Sequence, residues 1–453
     1  MTYHVRNLMV GIAAILTPIS GCSGAAPQSA AQAQAQDIDF IESHYIAKDK
    51  ALTASSRQRA ATLAAALKAK AGSLSEAQFI LGVAEIVATA DNGHSIIGYK
   101  AADAGIKSAL PLRMAAFDDS GWLVLRAGPP ASDLAGMVVT KVDGMPTARV
   151  MATMTKYIGG TTERRQILAM GLINAAGVLR AAGIPGAERS VHLTLRNAAG
   201  AIVERDVPFV PREQIPVAFW PSRWWSPAPL QSTHESGWKP AVSADSIPLY
   251  LRSPDQYFQI GQLPELNAVY LQMWSNEKDK APTAFVARAK SVIGAIRPRN
   301  VILDLRFNKG GDLNLTADFM RSLPSAVPAE GHIFVITGRY TFSAGIVDAA
   351  LVKKAGGDRV VLVGEQVGDR LRFWSEGEFE CTPNSQICTR YTDGYFDLVD
   401  GCDGEPGCFR DNGRYDMKVG ALNIDLPAPM TTAAYLAKRD PALDAITAYL
   451  GKH

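Results

Sequence analysis

Asn300-Val-Ile-Leu-Asp-Leu-Arg-Phe-Asn-Lys-Gly-Gly311 opens as an unbroken apolar run and closes as a polar turn with two glycines. A run of this length without polar alternation reads as a strand buried on both faces. Upstream, Val269-Tyr-Leu-Gln-Met273 reads as a second strand, and Pro282 to Ile296 as a helix. The proline falls in the first helical turn, where its missing N–H costs nothing. Downstream come the apolar run Ile333-Phe-Val-Ile336, a helical stretch from Ala344, and Val360 to Val363. Strands alternating with helices predict an α/β core with a mostly parallel sheet over residues 261–453, and the glycine pair is expected to open a helix.

Two polar segments stand out. In Thr337-Gly-Arg-Tyr-Thr-Phe-Ser-Ala-Gly345 a serine, Ser343, lies between an apolar strand and an apolar helix. That placement presents Oγ at the carboxyl end of the sheet, in the strand–turn–helix manner of a nucleophile elbow, although the motif is not G-x-S-x-G. An N-cap serine explains the segment equally simply, and on this segment alone it is the plainer reading. Free N–H groups at Gly310, Gly311 and Ala344 are candidates to hold an oxyanion. The second segment is Asp91-Asn-Gly-His-Ser95, a turn that offers His94 as a base. Of the other histidines, His4 lies in the leader, His453 ends the chain, and His332 starts the strand before Ser343, at the other end of the sheet.

Residues 37–103 read as helices and carry His94. Arg57 to Ala71 is rich in good helix formers. Ser73 and Glu76 have capping-box spacing ahead of Phe79, Ile80, Val83, Ile86 and Val87, which recur at helical intervals until Asp91-Asn-Gly93. Residues 104–212 run strand, small-residue loop, strand, Asp143-Gly144 turn, helix and closing strand pair, with a helical insertion at 163–183. This order resembles a PDZ domain. Residues 213–260, with Trp220, Trp224, Trp225 and Trp238, read as an irregular connector. Its tryptophans are expected to pack it onto its neighbours more than to line a cleft.

The chain has 453 residues, 47% of them apolar, with net charge +2. That supports several packed domains and gives no broad basic face for nucleic acid. Residues 1–22 read as a leader: Arg6, an apolar run from Leu8 to Leu16 too short to span a bilayer, then Ile19-Ser-Gly-Cys22. The last four resemble a bacterial lipobox, which predicts lipid anchoring through Cys22 on the periplasmic side of the cell envelope, with a mild preference for the outer membrane. Residues 23–36 read as a flexible tether. The remaining cysteines, Cys381, Cys388, Cys402 and Cys408, form an even cluster. In an exported chain that favours disulfides, and their spacing is wider than the usual zinc pattern. Sequential pairing closes the smallest loops, with connectivity left open by the spacing. No metal site and no cofactor is predicted.

Taken in order, His94-Ser95, the PDZ-like region, Asp304 to Gly311, Thr341-Phe-Ser-Ala344, Gly364-Glu365 and the tail Ala437 to Leu443 resemble the C-terminal-processing (tail-specific) serine peptidase family, which includes the tricorn core. The first motif is loose, because Asp91 stands three residues before His94 rather than two. The resemblance implies a ClpP/crotonase-like core, a polypeptide substrate and Ser343 as nucleophile. Many members pair that serine with a lysine about 25 residues on, but Gly364 to Arg372 holds no lysine. Lys353 and Lys354 stand about 15 Å up the helix at 1.5 Å per residue. The tricorn-like branch uses a histidine base with an acidic helper, which His94 fits. Glu376 is the favoured helper, with Glu378, Asp369 and Asp91 as alternatives. The competing expectation is a lipoprotein that keeps the peptidase scaffold and binds peptides without cutting them.

Overall fold

A computed structural model describes residues 28–99, 107–186, 189–216, 221–229 and 235–451. The leader, Cys22 and the start of the expected tether lie outside the described residues, as does Trp220.

Four strands of the core sheet form where the apolar runs predict them; Phe258–Leu263, which begins inside the expected connector, and Leu426–Pro427 add its two edges. Its order is Phe258–Leu263, Ala268–Met273, Asn300–Asp304, Ile333–Thr337, Val360–Gly364 and Leu426–Pro427. The first strand is antiparallel to its neighbour and the rest are parallel. Val301, Ile302 and Leu303 are fully buried, because helices cover both faces of the sheet. Helices Pro282–Ile296 and Ala344–Gly356 pack on one face, and Pro441–Leu450 covers the other through Ala442 and Ile446.

Over residues 104–212, where a PDZ-like order was expected, Gly121–Ala127, Val138–Val142, Ser190–Arg196 and Ile202–Pro208 run consecutively in one antiparallel sheet. Leu112–Phe117 pairs with Gly121–Ala127. The helices Thr147–Met154, Thr162–Ile173 and Ala176–Ala181 sit between Val138–Val142 and Ser190–Arg196 in the chain, which accounts for the predicted insertion. The connector packs as expected. Trp225 is buried against Phe117, Phe307, Tyr340 and Tyr435, while Trp224 stacks on the Arg113 guanidinium.

Three local expectations are corrected. The tether is cut short by a helix, Ala30–Ile41, which Ser29 and Gln32 start with a reciprocal capping box. Alanine and glutamine favour helix, and Gln34 fastens it by bonding Gly72 N–H and Leu74 C=O. The next capping box is Ser75 with Gln78, not Ser73 with Glu76, because Ser73 Oγ donates to Lys70 C=O instead. The glycine pair does not open a helix directly. A short 3₁₀ turn, Leu313–Leu315, intervenes before Ala317–Ser322. Both disulfides are sequential, Cys381–Cys388 and Cys402–Cys408. The first crosses the hairpin Phe379–Cys381/Ile387–Arg390, whose second strand pairs with Ile97–Tyr99 just past His94. No helix among the described residues is long and apolar enough to cross a membrane.

Candidate active site

Ser343 sits at a strained corner. The chain leaves strand Ile333–Thr337, and Thr341 Oγ1 ties the turn back by donating to Leu305 C=O at 2.8 Å. Ser343 then adopts φ 55°, ψ −127° before Ala344 starts the helix. Few non-glycine residues adopt positive φ, and such outliers cluster at functional sites at a cost of about 1–3 kcal/mol. The side chain makes no capping hydrogen bond. The capping role therefore does not account for this serine.

The glycine turn presses against the corner. A Cβ on Gly310, at φ 93°, would lie 2.6 Å from Ser343 Cβ and 2.8 Å from Ala344 N, so only glycine fits. The Gly310 N–H donates to Asn308 Oδ1 at 2.8 Å. Among the described residues, the N–H groups of Gly311 and Ala344 have no recorded acceptor. They are the two amides of this corner left to receive an oxyanion.

His94 approaches from the N-terminal helical domain. Its turn is anchored on both sides. Ser95 Oγ donates to the buried Asp49 carboxylate at 2.9 Å, and Thr392 bonds the same carboxylate through N–H and Oγ1. Asp91, at φ 48°, pairs with Arg165 and with Arg370. The imidazole is 2% exposed and lies between two phenyl rings, Phe342 at 4.3 Å and Phe373 at 5.2 Å between centroids. Phe342 immediately precedes Ser343, so this stacking brings the histidine to the serine's own turn.

The carboxylate facing His94 is Asp369, with Oδ2 at 3.6 Å from Nδ1. The separation exceeds hydrogen-bonding distance, and both ring nitrogens and Asp369 Oδ2 are buried without hydrogen-bond partners among the described residues. Burial pushes the imidazole well below its ordinary pKa, and the charges of Arg390 and Arg164 push the same way, so His94 is neutral at pH 7. Burial raises the Asp369 carboxyl to about 6 against the opposing Arg370 N–H and Arg164 charge. At neutral pH the pair is thus a neutral base beside a carboxylate.

The remaining candidates lie elsewhere. Glu376 is exposed at φ 56°, beside Arg390, and no ion pair or hydrogen bond joins it to His94 among the described residues. Glu378 is also exposed, and Asp91 is held by its two arginines. Asp369, one of the alternatives offered by the sequence, takes the position beside the imidazole that was expected of Glu376. Lys309 pairs with Glu277 at 2.5 Å. Lys353 bonds Val360 C=O at 2.7 Å, and Lys354 pairs with Asp416 at 3.5 Å. Two neighbours were not foreseen. Arg164, from the insertion helix, lies 3.7 Å over the Phe342 ring. Phe373 extends the stack to Phe396 and Phe409. A cleft lined by Phe117, Trp225, Phe307, Arg339, Tyr340 and Met430 opens beside the same end of the core sheet. No group of residues suited to a metal ion occurs among the described residues.

Comparison with known proteins places the fold. The mature form of CPAF complexed with lactacystin superposes with TM-score 0.58 at 15% identity, over 93% of this chain and 97% of that one. A point mutant of CPAF gives TM-score 0.60 at 14% identity, over 93% and 96%. The photosystem II D1 C-terminal processing protease aligns over 94% of this chain and 98% of its own, with TM-score 0.41 and 15% identity. No family model and no curated protein matches the chain. The two CPAF superpositions show a shared fold across nearly the whole chain.

Proposed function

We propose that this chain is a serine endopeptidase that hydrolyses peptide bonds in extended or C-terminal polypeptide segments. The observation that carries the proposal is the Ser343 corner: a strained, uncapped serine against Gly310, with the imidazole of His94 stacked on the preceding residue. His94, neutral at pH 7, takes the Ser343 proton as Oγ attacks the peptide carbonyl. The oxyanion forms against Gly311 and Ala344 N–H. His94 then returns the proton to the leaving amine, and water hydrolyses the acyl-enzyme. Asp369, rather than Glu376, stabilises the imidazolium. The PDZ-like domain captures the substrate by strand addition. A lipid on Cys22 holds the enzyme at the membrane surface, facing the periplasm.

His94 must close on Ser343 Oγ to complete the site, and catalytic hydrogen bonds in unliganded enzymes do tighten on substrate binding. The unbonded imidazole also suits the second reading, a scaffold that binds peptides without cutting them. A fluorophosphonate probe separates the two. The enzyme reading expects covalent labelling that disappears in Ser343→Ala, with peptide hydrolysis falling at least about a thousandfold. A folded parent that neither labels nor cleaves would leave the scaffold reading standing.

A further inference from the structure

The Ala344–Gly356 helix is apolar and buried on nearly every face, yet it carries one acid in its middle. Asp348 is fully buried five residues past Ser343, among Ile346, Val347, Ala349, Ala350 and Leu351. A carboxylate in such a place is costly unless it is satisfied. Its Oδ2 accepts from Asn276 Nδ2 at 2.7 Å, and its Oδ1 accepts from Thr316 Oγ1 at 2.8 Å. Asn276 Nδ2 also reaches Thr316 Oγ1 at 2.7 Å, which closes a triangle.

The two partners stand at the ends of the glycine turn. Asn276 grips its start through the main chain, donating N–H to Gly310 C=O at 2.9 Å and accepting from Asp312 N–H at 3.0 Å. The fit is close, since a Cβ on Gly311 would lie 2.4 Å from the Asn276 carbonyl carbon. Thr316 sits at the other end, just past Leu313–Leu315. A rigid helix thus links the serine to the turn that packs against it, where a Cβ on Gly310 would lie 2.6 Å from Ser343 Cβ. An oxyanion donor displaced by a fraction of an ångström loses much of its value, so the link bears on catalysis rather than on folding alone.

We infer that Asp348 is a positioning residue that locks the Gly310–Gly311 turn to the helix of Ser343 and so sets the oxyanion donors relative to the nucleophile. Its catalytic consequence rests on the peptidase reading above; the lock itself does not. Burial raises the Asp348 carboxyl to about 7, and only the bonds from Asn276 and Thr316 hold it down, which accords with a group kept for placement rather than for stability.

The test compares Asp348→Leu, which keeps bulk but loses both acceptors, with Asp348→Asn, which keeps one, and with the milder Thr316→Val. Amide hydrogen exchange is followed in each, alongside peptide hydrolysis. The lock predicts exchange at residues 310–312 at least tenfold faster in Asp348→Leu, with strand Asn300–Asp304 unchanged. Thr316→Val should change in the same direction, but less. For the enzyme, kcat should fall at least tenfold with KM within twofold of the parent, and Asp348→Asn should recover part of the loss. Unchanged exchange at residues 310–312 in the folded variants overturns the lock whatever the activity. Equal losses in kcat for Asn and Leu, with KM moving alike, overturn the positioning role. Faster exchange in a protein whose parent never cleaves or labels would uphold the lock and sink the peptidase reading instead.

Discussion

Ser343 carries two costs that the proposed chemistry would explain, a positive φ and a hydroxyl bonded to no cap. Because the strain belongs to the Cβ, Ser343→Gly should raise the midpoint of thermal unfolding while abolishing labelling; relief of about 1 kcal/mol is expected. Ser343→Ala keeps the Cβ and should show no such gain. His94 and Asp369 predict the pH response. The depressed imidazole stays neutral down to pH values well below the ordinary histidine range, whereas Asp369 takes up its proton near pH 6. The rate of peptide hydrolysis should therefore fall as pH drops through about 6, and Asp369→Asn should remove that limb while lowering the plateau. Stability runs by the opposite logic at the two sites. The raised Asp369 contributes stability at low pH that is lost as pH rises from the unfolded carboxylate range to about 6. The depressed His94 destabilises the fold as pH falls below its ordinary value. A kcat/KM profile flat from pH 7 to pH 5 would remove Asp369 from the mechanism. The turns that carry Ser343, His94 and the glycine pair could be read from sequence because each sits in a motif. Asp348 and Phe373 could not, because their roles come from neighbours remote in the chain. The one signal for Asp348 was a single acid inside an apolar helix.

At the scale of elements, the Asp304-Leu-Arg306 run does more than end a strand. Arg306 bonds both oxygens of Asp440 at 2.9 and 3.0 Å, and its Nε pairs with Asp304. Asp440 in turn caps helix Pro441–Leu450, and Tyr270 OH donates to Asp304 at 2.6 Å. The motif and the closing helix, separated by more than a hundred residues, form one buried ionic unit. Breaking a buried pair by removing one partner costs about 3–5 kcal/mol, so Arg306→Leu should lower stability by that order in chemical denaturation. A loss under about 1 kcal/mol would show the unit to be dispensable. The strands of the core were legible because burial on both faces leaves an unbroken apolar run. The capping serine was misplaced by two residues and the start of the first helix by seven, since alanine, serine and glutamine tolerate several registers and tertiary bonds such as those of Gln34 choose among them.

Across the whole molecule, three separate stretches of chain meet at one corner. The turn after the N-terminal helices brings His94, helix Thr162–Ile173 lays Arg164 over Phe342, and the core-sheet region supplies Ser343 and Asp369. The disulfide hairpin joins that arrangement by pairing with Ile97–Tyr99. Convergence of this kind was beyond the reach of periodicity, which speaks of one element at a time; motif order alone hinted at it. The proposed lipid anchor belongs to this scale as well. Cys22→Ala should abolish incorporation of labelled fatty acid and shift the protein from the membrane to the soluble envelope fraction. Unchanged partition would assign Cys22 to an ordinary leader. The stack of His94 between Phe342 and Phe373 gives the molecule a built-in spectroscopic probe. Circulating π-electrons of the flanking phenyl rings shift imidazole carbon-bound protons upfield in an NMR spectrum. Withdrawal of the ring toward Ser343 would move those signals back toward free-histidine positions, so one resonance reports in solution how often the corner assembles.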